Sequence, residues 1–145
     1  MKLESLCVGG YIEMITLTIP GEPVAKGRPR VCKFGTYTPV KTVNYETLIK
    51  ELFIISKQDQ LQDMLSANIK CYFKIPKATS KKNKVLIDCS RLRPTKKPDL
   101  DNLAKICLDA LNGLAYDDDS QIVELTVSKW YSNEPRVEIE ISEVE

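Results

Sequence analysis

Carboxylates and one lysine are concentrated in two short stretches of this 145-residue chain. Asp99 and Asp101 lie in residues 97–105, and three consecutive aspartates occupy 117–119. Clustered carboxylates repel one another unless one protonates or a cation lies between them. Mg²⁺ and Mn²⁺ prefer such oxygen ligands, acidify a bound water and neutralise charge on a phosphate. These residues indicate metal-assisted phosphodiester hydrolysis, with Lys105 available to stabilise developing charge.

The spacing of these residues leaves plainer interpretations open. Asp101 and Lys105 are four residues apart on one helix face, where an ion pair contributes only about 0.2–0.5 kcal/mol. Asp99 suits a helix N-cap, and residues 117–119 suit a solvated turn. A 12-residue helix is about 18 Å long. Asp119 therefore meets Asp99 and Asp101 only if the strand after the helix runs back alongside it.

Composition excludes several common chemistries. The chain contains no histidine, which excludes imidazole bases and imidazole metal ligands. Its five cysteines, without C-x-x-C spacing, predict reduced thiols and not a disulfide framework or a zinc site. No signal peptide and no apolar run of about 20 residues is evident. We expect a cytoplasmic protein that does not enter membranes.

The net charge of +1 conceals strong local charges. Residues 26–41 hold five basic side chains and no acid, and residues 70–98 hold ten basic side chains and one acid. Lysine-rich loops can simply keep a protein soluble, but they also bind phosphates. Phe34, Tyr37 and Tyr72 could stack on bases, although packing is the simpler role. The candidate DNA-binding residues are Lys26, Arg28, Arg30, Lys33, Lys81, Lys82, Lys84, Lys96 and Lys97.

Hydrophobic periodicity predicts the elements that position these groups. Alternation predicts strands at 15–19, 69–75, 123–131 and 137–141, with a short hairpin around Gly35. Apolar residues at helical spacing predict helices at about 41–58 and from Asp99 to Gly113, separated by a lysine-rich loop at 76–97. The predicted fold is a two-layer α+β domain, with a mixed, mostly antiparallel sheet and two main helices on one face. We expect it to span residues 13–145, after a flexible extension at 1–12.

Three motifs closely resemble the RusA family of Holliday junction resolvases. They are K-P-D-L-D-N-L-x-K at 97–105, D-A-L-N-G at 109–113 and Y-x-D-D-x-Q-I at 116–122, supported by K-x-R-P-R at 26–30. The resemblance implies a RusA-like fold and a homodimeric, Mg²⁺-dependent endonuclease of DNA recombination and repair, often encoded by phages or prophages. Such an enzyme nicks four-way junctions symmetrically and leaves 5′-phosphate and 3′-hydroxyl ends.

The same resemblance assigns roles to individual residues. It implies that the catalytic residues are Asp99, Asp101, Lys105 and Asp119, and that the three aspartates bind Mg²⁺, or Mn²⁺ as a substitute. Asp118 is a further candidate ligand, and Asp117 leaves open which acids of the triplet face the site. No nucleotide cofactor is expected. The alternatives are a branched-DNA-binding protein without catalysis and a metal-dependent phosphohydrolase acting on other nucleic acids or nucleotides.

Overall fold

The computed structural model describes residues 13–145 and contains a four-stranded sheet, a separate hairpin and three helices. The predicted extension at 1–12 lies outside the described residues. In chain order the elements are β1 (Met14–Pro20), β2 (Arg30–Cys32), β3 (Gly35–Tyr37), α1 (Val40–Ser56), β4 (Leu65–Lys74), α2 (Lys81–Asp88), α3 (Leu100–Leu111), β5 (Ile122–Ser132) and β6 (Arg136–Glu143).

The main sheet has the strand order β1-β6-β4-β5. The β1–β6 and β6–β4 pairs are antiparallel, and only β4–β5 is parallel. A short connection at 133–135 links β5 to β6, which lie on either side of β4 in the sheet, whereas the parallel pair β4–β5 requires a crossover. The chain between β4 and β5 provides that crossover through α2 and α3.

The register of the strands determines which side chains form the core. Ile15, Ile141 and Ala67 lie side by side across three strands, as do Leu17, Ile139 and Ile69 in the next buried row. Since side chains alternate between sheet faces, all of these residues point to the same side. There they pack in one buried cluster with the apolar residues of α1 and α3. The predicted α+β class, with its mostly antiparallel mixed sheet, is confirmed.

The prediction of a lysine-rich loop throughout 76–97 is wrong, because residues 81–88 form α2. Ser80 caps this helix, its hydroxyl accepting a hydrogen bond from the amide of Asn83 at 3.2 Å. Ile87 is buried and attaches the helix to the protein. The three-residue apolar patch at 85–87 was too short to display a helical period. Within residues 13–145 no helix combines the length and apolar character needed to cross a membrane.

Helix α3 ends in a tight turn that leads to the acidic triplet. Gly113 adopts φ +81° at the C′ position predicted for it, which a side chain would strain. Tyr116 is fully buried in this turn, and its hydroxyl donates to the carbonyl of Leu108 at 2.6 Å. The turn thus fixes residues 117–119 beside the C-terminal end of α3.

Candidate active site

One cleft collects most of the residues that the sequence singles out for catalysis. Asp101 and Lys105 project from α3 into it, and Asp119 lines it from the turn before β5. The cleft has a volume of about 470 Å³. We call it the acid cleft; its lining residues are Leu100, Asp101, Ala104, Lys105, Leu108, Asp109, Asp119, Leu125 and Val127.

The apolar floor of the acid cleft comes partly from the edge strand. Leu125 is 46% exposed, although its register partner Ala67 is fully buried in the core. Leu100, at the first turn of α3, is 42% exposed at the same cleft. A floor of this kind strengthens electrostatic interactions at the carboxylates above it, since it excludes polarisable water when a ligand covers it.

The structure distinguishes Asp118 from Asp119. The carboxylate of Asp118 caps the turn at Asp119–Gln121 by accepting hydrogen bonds from the amide and hydroxyl of Ser120. These bonds, the hydroxyl bond above all, lower the pKa of Asp118. Asp119 instead lines the acid cleft, with its backbone held by a 2.8 Å hydrogen bond from its amide to Oδ1 of Asn112. Asp119 is therefore the acid of the triplet that faces the cleft.

Asp99 occupies the N-cap position of α3, but its side chain makes no capping hydrogen bond. It lines a neighbouring cleft of about 610 Å³, together with three cations, Arg28, Lys41 and Lys97. We call this the basic cleft. Cations and a helix N-terminus together favour an anion such as a phosphate. Because the Asp99 side chain makes no capping hydrogen bond, helix capping does not explain why an aspartate occupies this position.

The simple ion-pair interpretation of Asp101 and Lys105 is also not supported. Among the ion pairs recorded for residues 13–145, none joins these two side chains. Both are exposed at the acid cleft. Their charges are thus available to a ligand.

The donor set of the acid cleft fits a magnesium ion. Asp101 and Asp119 offer oxygen ligands, and Mg²⁺ commonly binds through one or two carboxylates with water and substrate phosphate completing its shell. Over the described range 13–145, however, no three acidic or thiol side chains form a group that could hold a metal ion by itself. Asp119 lies at the C-terminal end of α3 and Asp99 at its N-terminal end. Helix α3 contacts β5, the strand that follows Asp119.

Lys26 lies in an ionic network and not on an open surface. Its Nζ is 2.5 Å from Oε1 of Glu46 and 3.2 Å from Oδ2 of Asp109, while its amide donates to the carbonyl of Asn102 at 3.0 Å. Burial by itself lowers the pKa of Lys26, but the hydrogen bonds and charges of the two carboxylates together raise it. This geometry favours a role for Lys26 in positioning the carboxylate of Asp109. Direct contact between Lys26 and DNA stays a prediction.

The other candidate DNA-binding residues are exposed in three places. Arg28, Arg30 and Lys33 belong to the segment that carries the β2–β3 hairpin. Lys81, Lys82 and Lys84 occupy the N-terminal half of α2, where the helix dipole disfavours cations. Lys96 and Lys97 precede α3 and adjoin the basic cleft through Lys97. Their exposure leaves them free to meet phosphates.

Two residues of this site were missed from the sequence. Asp109 lines the acid cleft, and a signal for it existed, because it follows Asp101 and Lys105 at a spacing of four. Asn112 orients Asp119 through a side chain that no spacing rule identifies. Its partner is set by the turn at 112–116, which becomes evident only in three dimensions.

A carboxylate-lined cleft beside a basic one, on an α+β scaffold, is an arrangement that suits a protein acting on phosphodiesters. Residues 20–142 match the family model described as Endodeoxyribonuclease RusA, and the chain belongs to that family. Membership implies an endodeoxyribonuclease that resolves Holliday junctions, in a family that generally depends on divalent metals.

Two curated proteins are similar to this chain. The chain is 41% identical over 143 residues to the "Uncharacterized protein YqaN" of Bacillus subtilis (strain 168), covering 92% of this chain and 99% of the relative. It is 51% identical over 51 residues to the "Crossover junction endodeoxyribonuclease rusA" of Lactococcus phage r1t. That second match covers 34% of this chain and 39% of the phage protein.

Proposed function

We propose that this protein is a homodimeric, Mg²⁺-dependent endonuclease that resolves four-way DNA junctions by paired symmetric nicks, in recombination and repair. Each nick leaves a 5′-phosphate and a 3′-hydroxyl. The observation that carries the proposal is the convergence of Asp101, Lys105 and Asp119 on one cleft in a RusA family member. The homodimer follows from symmetry, because two equivalent nicks in a two-fold junction need two sites related by a two-fold axis.

Three aspartates are the proposed metal ligands. Asp101 and Asp119, which line the acid cleft, and Asp99, at the N-cap of α3, are the residues that would hold Mg²⁺. When bound there, the ion would supply charge neutralisation at the scissile phosphate and an acidified water. Asn112 keeps Asp119 in place through its 2.8 Å hydrogen bond.

The cations bind DNA and stabilise the transition state. Lys105, between Asp101 and Asp109 on the same helix face, stabilises the charge that develops on the phosphate. Arg28, Lys41 and Lys97 receive the adjoining backbone phosphate in the basic cleft. Lys81, Lys82 and Lys84 contact a more distant part of a junction arm.

Cleavage of a synthetic four-way junction tests the proposal. Each of the four strands is labelled in turn and incubated with the protein in Mg²⁺, in Mn²⁺ and in a chelator. We expect cuts at symmetric positions on two opposite strands only, with either metal, and none in the chelator. Asp101→Asn and Asp119→Asn should each lower the cleavage rate by at least 100-fold, because each removes a charged metal ligand, while junction binding persists.

Asp118→Asn is the matched control for Asp119→Asn. It makes the same chemical change one residue away, and asparagine still accepts the capping hydrogen bonds from Ser120. We expect its cleavage rate to stay within about threefold of the wild-type rate. Equal loss in both variants would reject the assignment of Asp119 to the metal. Binding without cleavage in both metals would identify a non-catalytic junction-binding protein, and preference for mononucleotides a phosphohydrolase.

A further inference from the structure

The β2–β3 hairpin contributes nothing to the core. All six of its strand residues are exposed, and its two-residue turn consists of Lys33 and Phe34. Val31 is 83% exposed and Phe34 is 94% exposed. An isolated two-stranded hairpin is marginally stable in water at best. Folding therefore gives no reason for an aromatic ring at this tip. We call residues 28–38 the basic arm.

The base of the basic arm is fixed against the catalytic helix. The amide of Gly27 donates to Oγ1 of Thr42 at 2.9 Å, and a Cβ at Gly27 would lie 2.8 Å from that oxygen and 2.9 Å from Cγ of Pro39. Residue 27 must therefore be glycine for the two ends of the arm to meet this closely. One residue earlier, the amide of Lys26 binds the carbonyl of Asn102 in α3. The arm thus starts beside Asp99 and the basic cleft.

Charge and length determine what the tip can reach. Residues 26–41 contain no acid, and Arg28, Arg30 and Lys33 are exposed along the arm. From Arg30 to Phe34 an extended chain spans about 13 Å, or roughly four nucleotide steps of 3.4 Å along one DNA strand. The Phe34 ring thus lies among exposed cations, within a few nucleotide steps of a phosphate bound in the basic cleft.

The other two aromatic candidates for stacking are less available. The guanidinium of Arg136 covers the Tyr72 ring at 3.9 Å from its centroid. Tyr37 is 48% exposed and lies at the root of the hairpin, opposite Arg30. Phe34 is the aromatic residue of the arm that is both at the tip and almost wholly exposed.

We propose that Phe34 stacks on a base that is unstacked at the branch point, so that the basic arm recognises the junction and not the duplex arms. A phenylalanine ring has no hydrogen-bonding group, so it accepts any base, and it requires a base face that continuous duplex DNA keeps covered. This inference rests on the proposed junction-resolving function and names the element that selects its substrate.

The test compares Phe34→Ala, Phe34→Trp and Val31→Ala for binding to a four-way junction and to a duplex of the same sequence, in a chelator so that cleavage does not intervene. Stacking of one base on an aromatic side chain corresponds to about five- to 150-fold in affinity. We expect Phe34→Ala to weaken junction binding at least fivefold and duplex binding less than twofold. Phe34→Trp should retain affinity, and Val31→Ala, a change at another highly exposed apolar residue of the same hairpin, should match the wild type.

Fluorescence of Phe34→Trp provides a direct measure of stacking. The wild-type chain has a single tryptophan, Trp130, so the wild-type signal supplies the background. We expect the new indole to be quenched by the junction and not by the duplex. Unchanged junction affinity of Phe34→Ala, or equal losses on junction and duplex, would overturn the inference. Wild-type protein that neither binds nor cuts junctions would instead overturn the proposed function.

Discussion

At the scale of single residues, the Lys26 network is the feature that links the arm to the catalytic helix. Its ammonium group bridges Glu46 of α1 and Asp109 of α3, whose side chains are 16% and 31% exposed. Hydrogen bonds to charged groups of this kind contribute about 1.5–3 kcal/mol to stability. Removal of the lysine would leave two partly buried carboxylates facing each other without a cation, which is more costly than the loss of one contact.

We therefore predict that Lys26→Met lowers the free energy of unfolding by about 1.5–3 kcal/mol at pH 8. The partners raise the pKa of Lys26 above its ordinary 10.5 in the folded state. The contribution of the lysine is then complete below pH 10.5 and disappears as the pH rises through the higher folded pKa. Urea unfolding of both proteins from pH 8 to pH 11.5 should show the difference shrinking at the alkaline end.

The double variant Lys26→Met/Glu46→Gln supplies the control for this prediction. It removes one of the two carboxylates that the single variant leaves without a cation, so it should recover part of the lost stability. A double variant as unstable as the sum of its two single variants would show that the charges are not coupled. A difference between wild type and Lys26→Met that is constant with pH would contradict the titration argument.

At the scale of elements, α2 is short enough to depend on its cap. An eight-residue helix is marginal in water, and its three lysines lie at the end where the dipole disfavours them. Ser80→Ala should destabilise α2 by about 1 kcal/mol and speed amide exchange at 81–88 about fivefold. Ser80→Asn preserves the capping acceptor and should exchange like wild type. Equal exchange rates in Ser80→Ala and Ser80→Asn would contradict the capping role.

The elements also show where sequence patterns suffice. Long alternating or helical periods correctly predicted β1, α1, β4, α3 and β6, because each buries one regular stripe. Helix α2 was missed, since Ile87 is its one buried residue. The strand order was not predictable either. It places β5 at the sheet edge, where Leu125 lines the acid cleft instead of the core.

The candidate site likewise contains some residues that the sequence predicts and others that only the structure locates. Helical spacing places Asp101 and Lys105 on one face of α3, as the structure has them. The position of Asp119 depends on the turn at 112–116 and on Asn112, which no local pattern encodes. Which of Asp118 and Asp119 faces the cleft likewise depends on the hydrogen bonds from Ser120 to Asp118, which are evident only in the structure.

At the scale of the whole molecule, the distribution of charge matters more than its sum. A net charge of +1 gives little long-range attraction to DNA, whereas the local clusters act over the screening length of about 8–10 Å at 0.1–0.15 M salt. Binding should therefore be strongly salt-dependent despite a pI near 7.5. If six to ten cations contact phosphates, the logarithm of the binding constant should fall against the logarithm of salt with a slope of about −5 to −9.

The salt slope also tests whether α2 belongs to the DNA-binding surface. Each phosphate contact contributes about 0.9 to the slope, so replacing Lys81, Lys82 and Lys84 with glutamine should reduce its magnitude by up to about 2.7. Lys50→Gln, an exposed change on α1 away from the two clefts, should leave the slope unchanged. Junction binding measured from 50 to 300 mM salt gives the slope for the wild type, the triple variant and Lys50→Gln. A triple variant with the wild-type slope would remove α2 from the DNA-binding surface and leave the basic arm and basic cleft to supply the phosphate contacts.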